Sequence, residues 1–361
     1  MSTRPFLVSI VIPAHNHLAM TSNCIEKTLA TCPGRRDVEI IVVDDASPEP
    51  LASLSALDDR VQVVRTETNL GFAGACNLGA AQTRGHFLIF LNNDTEPQVG
   101  WLDAMTGCAM SDERIGIVGA RLLYPTGTTQ HAGVIFSQAD GLPRHVYRGF
   151  PGDHPAVTHA RDFQAVTAAC MLIRRELFFD LDGFSTEYRN EFEDIDLCLR
   201  ATRTDHRITY CPAAVVTHLE AVSRKRDDAP VATDRTSTNR ETFLQRWQSS
   251  LVPDEFTVYA EDGLLTASAS DLYPLTFAIE PILGAFEAVD ETEAHELLRC
   301  QAQQISDLTS ERNNLKSDNV ELQRDNVELQ RIHADLVSTR AWYLLEQCRR
   351  LRSMFSLRRN I

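Results

Sequence analysis

Residues 86–96, HFLIFLNNDTE, narrow the available architectures more than any other stretch. An apolar run, FLIFL, halts on Asn92, Asn93 and Asp94. So short a run bounded by polar residues makes a buried strand, because a helix would need ten or more residues. A strand ending in carboxamides and a carboxylate delivers hard oxygen ligands to the carboxyl edge of its sheet, where open α/β sheets bind ligands. Taken alone, the stretch reads equally well as a strand with a polar turn. The neighbouring segments decide between the two.

Residues 7–12 (LVSIVI) form a β-branched strand closed by Pro13, with Ala14, His15 and Asn16 as the following loop. A helical pattern covers residues 17–31, with Asn16 as its cap candidate. Residues 38–43 (VEIIVV) are a second buried strand, ending on Asp44, Asp45, Ala46, Ser47 and Pro48. A third, residues 61–65, leads into ETNLGFAGACNLGAA. Strands alternating with helices at this spacing predict right-handed βαβ units and a mainly parallel sheet.

A nucleotide diphosphate at that sheet edge needs an acceptor for its base N–H, small residues beside its sugar and phosphates, and a divalent cation. Asp44 and Asp45 offer the first, Gly71, Ala73, Gly74, Ala75 and Gly79 the second, and Asp94 the third. Each has a plainer reading, an N-cap or a close-packed helix. Their recurrence at consecutive strand ends favours the nucleotide.

Composition sets the outer limits. With 43% hydrophobic and 24% charged residues, the chain reads as an ordinary globular protein. No stretch reaches the roughly 18 apolar residues of a membrane span. MSTRPFLVSIVIPAHN lacks the apolar core of a signal peptide, so a cytoplasmic location is expected. Nine cysteines without a CxxC pair fit reduced thiols. The net charge of −15 divides into −7 over residues 1–253, −11 over 254–298, −2 over 299–339 and +5 over 340–361. A mildly acidic main region argues against a nucleic-acid-binding face.

VSIVIPAHN, VVDDAS, TNLGFAGACNLGA and FLNNDTE, in this order, resemble the nucleotide-binding half of a family 2 glycosyltransferase with the GT-A fold. WLDAM, GARLLYPTG and QHAGVIF resemble the middle of its rhamnosyltransferase-like members, and TAACMLIRRELFFDLDGFSTEY with NEFEDIDLCLR their acceptor-side block. The resemblance covers residues 7–250. It implies that Pro13, His15, Asn16, Asp44, Asp45, Asn69, Gly71, Asn77, Asn92 and Asn93 contact the nucleotide-sugar, and that Asp94 holds a Mg²⁺ or Mn²⁺ ion. The family commonly carries D-x-D where this chain has Asn92, Asn93, Asp94, which leaves Asp94 as the principal charged ligand.

Residues 189–203 (RNEFEDIDLCLRATR) read as a helix entered through a polar loop, with Phe192, Ile195 and Leu199 on one face. Glu193 and Asp194 then fall in its first turn, where the macrodipole favours negative charge. The resemblance makes Asp194 the general base that takes the acceptor hydroxyl's proton, with Glu193 in support, and implies inversion at the anomeric carbon. Residues 213–218 form a strand ending at His218. The resemblance implies that this histidine joins the metal or diphosphate, with the basic run from Arg224 to Arg226 as a cover.

Residues 254–297 carry eleven acids and read as a partly ordered connector. Beyond it Leu308, Leu315, Leu322, Leu329 and Leu336 recur every seven residues as d positions, with Arg312, Asn319 and Asn326 among the a positions. Leucine at d with asparagine at a favours a parallel two-stranded coiled coil over 298–339, hence a homodimer. The tail, 340–361, interleaves six arginines with Trp342, Tyr343, Leu351 and Phe355. It fits an interfacial helix drawn to anionic lipid, and equally a partner-binding helix.

The expectation is a GT-A domain over 1–253, an acidic connector over 254–297, a coiled coil over 298–339 and a basic tail over 340–361. Its activity would be metal-dependent, inverting transfer from a UDP- or dTDP-sugar to a glycan or lipid-linked acceptor in surface polysaccharide synthesis. A nucleotidyltransferase would need a glycine-rich basic loop after the first strand, which IPAHNH lacks. An inactive scaffold working through its coiled coil is the alternative, and Asn92 is the residue that leans towards it.

Overall fold

The computed structural model describes residues 7–137, 139–188, 191–219, 232–268, 276–279 and Arg349. Strands β1 (Val8–Ala14), β2 (Val38–Asp44), β3 (Val61–Arg65) and β4 (Phe87–Leu91) lie parallel in the order β4-β1-β2-β3. Next to β4 come β11 (Cys170–Arg174), antiparallel, then β6 (Ile115–Leu123) and β12 (Arg207–His218), with β10 (Arg161–Phe163) at the edge. β6 and β12 point the same way as β4, so the expected mainly parallel sheet forms around the reversed β11, with β10 also reversed at the edge. Two short strands, β5 (Thr95–Pro97) and β7 (Thr129–His131), pair with β12 and β6.

Period-two patterning splits the core into two layers. Val8, Ile10 and Ile12 of β1 and Phe87, Ile89 and Leu91 of β4 face α1 (Leu18–Thr31) and α3 (Trp101–Ser111). Val11, Leu88 and Phe90 face α2 (Gly71–Ala81), α4 (Arg175–Asp180) and α5 (Glu193–Thr202). Helix α2 lies very close to the sheet: a Cβ on Gly79 would meet Val11 Cγ1 at 2.5 Å and Val43 Cγ2 at 2.9 Å. Gly79 is therefore a packing residue rather than a phosphate-loop one. Asn16 is not the cap of α1 either. Asn16 and His17 both take left-handed backbone (φ 63° and 59°), and His17 occupies the N-cap position without a side-chain hydrogen bond.

A third cluster sits under the segment between β6 and β11. Ile135, Val146, Tyr147, Val157 and Phe163 pack with Tyr210, Val258, Tyr259 and Leu264. The last three belong to or follow helix α7 (Glu255–Glu261), in the stretch expected to be a connector. Asp254 anchors it by accepting the Phe136 N–H at 2.7 Å and the Gln164 side-chain amide at 2.7 Å. The compact unit accordingly runs through Ile282 rather than stopping at Pro253. The coiled-coil residues 298–339, the basic run Arg224–Arg226 and, apart from Arg349, the tail 340–361 lie outside the described residues. Among the described residues, no helix is long and apolar enough to cross a membrane.

Candidate active site

Strand register brings the predicted residues to one edge. β1 and β2 end together, Ala14 opposite Asp44, and β4 runs beside β1 with Val11 opposite Phe90. Their carboxyl ends therefore carry His15, Asp45 and the Asn92–Asp94 turn side by side. Because β11 is antiparallel to β4, with Cys170 opposite Leu91, its entry residues Ala168 and Ala169 reach the same edge.

The Asp94 carboxylate is buried, its Oδ1 3.0 Å from Nε2 of His218. His218 closes β12 and pairs there with Thr95 of β5. On its other side, Nδ1 lies 2.7 Å from Gln130 Oε1. An amide oxygen accepts, so Nδ1 carries the proton and Nε2 is turned to Asp94. In the neutral ring two acceptors then face one space, which a proton or a cation satisfies. A ring N–H held by a side-chain oxygen is also the usual second contact of a metal-binding histidine. Asn92 Nδ2 lies 3.4 Å from the same Nε2, whereas Asn93 donates to Thr21 Oγ1 at 3.0 Å. No cluster of three or more His, Cys, Asp or Glu ligands occurs among the described residues. One carboxylate and one imidazole fit a divalent ion whose other ligands come from phosphate and water.

A second group gathers around Asp45. Its Oδ1 accepts from Leu70 N (2.7 Å) and Thr66 Oγ1 (3.1 Å), and its Oδ2 from Gly71 N (2.9 Å), so it caps α2 from outside the helix. Gly71 has φ +73°, a conformation glycine adopts without strain. His15 Nδ1 sits 2.7 Å and Asn69 Nδ2 3.4 Å from the Asp45 carbonyl oxygen, and Asn16 N donates to Ser47 Oγ at 2.8 Å. Five predicted residues thus share one loop cluster beside Pro13, at the end of β1. Asp44 is different. It is fully buried, accepts from Ser47 N and Leu51 N at 3.0 Å each, and pairs with Arg65. Burial alone would raise its carboxyl, but those donors hold it below the ordinary range. Asn77 is also committed elsewhere: its amide brackets the Phe184 backbone, donating to O at 2.8 Å and accepting from N at 2.9 Å.

Helix α5 starts after Phe192, whose left-handed backbone (φ 73°) turns the chain so that Glu193 and Asp194 lead the first turn. Asp194 Oδ2 accepts from Ala168 N at 2.9 Å and Oδ1 from Ile195 N at 2.8 Å. Burial raises its carboxyl, opposed by those N–H groups and the Thr167 hydroxyl. Glu193 is buried, and its Oε2 has no hydrogen-bond partner. Burial and the adjacent Asp194 push it up to about 8. The pair therefore retains a proton near neutrality while leaving one basic oxygen, the condition in which a carboxylate works as a base. Asp196, two residues on, is structural: it is fully buried between Arg200 Nε (2.7 Å), Arg246 Nη1 (3.0 Å) and Trp247 Nε1 (2.9 Å).

The two acidic sites meet on a single dipeptide. Asn92 N donates to Ala169 O at 3.0 Å, and Ala168 N donates to Asp194 at 2.9 Å. Sequence reading missed this bridge, and with it Gln130, although QHAGVIF was among the segments carrying the resemblance. Backbone contacts leave no signature in side-chain pattern.

Residues 9–181 match the family described as "Glycosyl transferase family 2". This part of the chain belongs to that family. An uncharacterized protein of Sinorhizobium fredii is 33% identical over 67% of this chain and 28% of its own length. The O-antigen biosynthesis protein RfbC of Myxococcus xanthus is 31% identical over 62% of this chain and 18% of its own. The chain thus spans less than a third of either relative. A crystal structure of GalNAc-T7 with UDP, GalNAc and Mn²⁺ superposes with a TM-score of 0.57 over 72% of this chain and 51% of that one, at 17% identity. The family 2 domain has the GT-A fold that the likeness shows.

Proposed function

We propose that the chain transfers a sugar from a UDP- or dTDP-linked donor to a hydroxyl of a glycan or lipid-linked acceptor, with inversion. One observation carries this reading: the Ala168–Ala169 dipeptide holds the Asn92–Asp94 turn on one side and Asp194 on the other. A donor bound along the first then has its anomeric carbon within the reach of an alcohol activated by the second.

Asp45 is favoured over Asp44 as acceptor for the base N–H: both are buried, but Asp44 is ion-paired with Arg65 while Asp45 borders the His15–Asn69 loop cluster. Asn92 contacts ribose. Asp94 and His218 would hold Mg²⁺ or Mn²⁺, which supplies charge neutralisation to the departing diphosphate. Asp194 takes the proton of the incoming hydroxyl, and Glu193, kept protonated, prevents a second negative charge from crowding it. The transfer of a hexose or rhamnose rests on the resemblance of residues 101–136 to rhamnosyltransferase-like members, and a role in surface polysaccharide synthesis on the O-antigen relative. Dimerisation through 298–339 and contact of 340–361 with anionic lipid or a protein belong to the same reading.

The test is a panel of UDP-, dTDP- and GDP-sugars with Mn²⁺, read by calorimetry and by slow donor hydrolysis. The wild type is expected to bind one donor class. Asp94→Ala loses donor binding, whereas Asp194→Asn binds normally and turns over about 10²–10⁴-fold more slowly, the usual contribution of a positioned base. Binding to no donor would favour the scaffold alternative.

A further inference from the structure

Among the described cysteines, Cys24, Cys32, Cys76, Cys170 and Cys198 are buried thiols that burial pushes up. Cys211 is buried as well, but it and Cys108 form a pair between a strand and the helix packed on it. Cys108 lies in the last turn of α3 and is partly exposed. Cys211 lies on β12, against which α3 packs, and its Sγ donates to the Ala104 carbonyl at 3.6 Å. Ala104 is one turn before Cys108 on the same helix, and helical side chains lean back over the preceding turn. The Cys108 thiol is thereby directed to the place Cys211 occupies, and the two thiols interact.

The strand is built irregularly at this point. Cys211 pairs with Ala120 and Val215 with Arg121, so residues 212–214 bulge out of the ladder directly after the cysteine. Pro212 has no N–H to lose there. The freed N–H groups of Ala213 and Ala214 turn onto the Cys211 sulfur. Amides converging on sulfur favour the thiolate, the reactive form of cysteine. The Cys108 contact and these amides together outweigh burial and bring Cys211 down to about 7, while Cys108 is held protonated. A bulge also gives the strand the freedom that closing a bond to the helix requires.

We propose that Cys108 and Cys211 are a peroxide-reactive dithiol that closes into a disulfide between α3 and β12. The Cys211 thiolate attacks one oxygen of hydrogen peroxide; an S–O bond forms, the O–O bond breaks, and the leaving hydroxide takes up a proton as water. The Cys108 thiol then attacks the Cys211 sulfur, the S–S bond forms, and the S–O bond breaks with release of a second water. Both sulfurs are oxidised, peroxide is reduced, and a thiol reductant reverses the bond. The oxidised form ties down the strand that ends at His218. The proposal is independent of the donor chemistry.

Its test is peptide mass mapping of the reduced full-length chain after stoichiometric hydrogen peroxide and alkylation. The expected product is one crosslink, Cys108 to Cys211, removed by dithiothreitol, with Cys24, Cys32, Cys76, Cys170 and Cys198 alkylated only after denaturation. In Cys108→Ser, Cys211 is expected to persist as a sulfenic acid trapped by dimedone. Crosslinks to Cys300 or Cys348 in place of this pair would overturn the proposal. So would Cys108 reaching the sulfonic acid while Cys211 stays a thiol.

Discussion

At the scale of single residues, the number of donors already held sets Glu193 apart from the structural acids. Asp44 and Asp196 are saturated by arginine, backbone and indole N–H groups, whereas Glu193 keeps a buried oxygen with no partner. That difference has a pH signature. Glu193 has an ordinary value of 4.5 and is raised to about 8 in the fold. Between those values the folded state binds more protons than the unfolded chain, so stability falls as pH rises. This contribution is complete below the unfolded value and lost as pH climbs through the folded one. Glu193→Gln removes the proton uptake, so its melting temperature is expected to be flatter in pH. For the wild type a loss of about 2 kcal/mol from about pH 6 to about pH 9 is expected, at ~1.4 kcal/mol per pKa unit with partial relaxation. In a domain of this size that is about 4–8 °C, measurable by scanning calorimetry. Equal pH slopes for the two proteins would mean that Glu193 is solvated and not proton-bearing.

At the scale of elements, the anchoring of α5 depends on Asp196. Helix α6 (Ala232–Trp247) supplies Arg246 and Trp247, α5 itself supplies Arg200, and Phe192 stacks on Phe243 at 4.9 Å. Removing one member of a buried charged network costs about 3–5 kcal/mol. Asp196→Ala is therefore expected to lower the urea midpoint strongly. Asp196→Asn, which keeps an acceptor for Trp247, should lose less. If both lower turnover more than donor affinity, α5 sets the position of the base. The sequence showed α5, and the strands β1 to β4, because their apolar runs are continuous or strictly periodic. It could not rank Glu193, Asp194 and Asp196, since that ranking depends on Arg246 and Trp247, fifty residues downstream. Asp44 and Asp45 were indistinguishable for the same reason, Arg65 being the deciding partner. Strands β7 (Thr129–His131), β8 (Val134–Phe136) and β9 (Pro143–His145) are too short for any period to emerge, which hid Gln130.

At the scale of the whole molecule, charge misled the reading of the C-terminal boundary. A stretch without a single lysine or arginine looks like a solvated linker, yet Val258, Tyr259 and Leu264 bury against Tyr147 and Val157, and Asp262 pairs with Arg161 at 2.6 Å. Ending the chain at Pro253 would uncover that cluster and strip Arg161 of its partner, while ending it at Ile282 keeps the compact unit whole. Losing several buried aromatic and aliphatic contacts is worth several kcal/mol at about 25 cal/mol per Å² of apolar surface. The shorter chain is expected to melt well below the longer one or to aggregate. The cut at 282 is therefore the one that tests dimerisation. Sedimentation velocity of residues 1–282 should give a monomer and the full chain a dimer, if leucines 308–336 form the parallel coiled coil their spacing predicts. A dimer from both would place the interface on the glycosyltransferase domain, and a monomer from both would leave the heptads to a different partner.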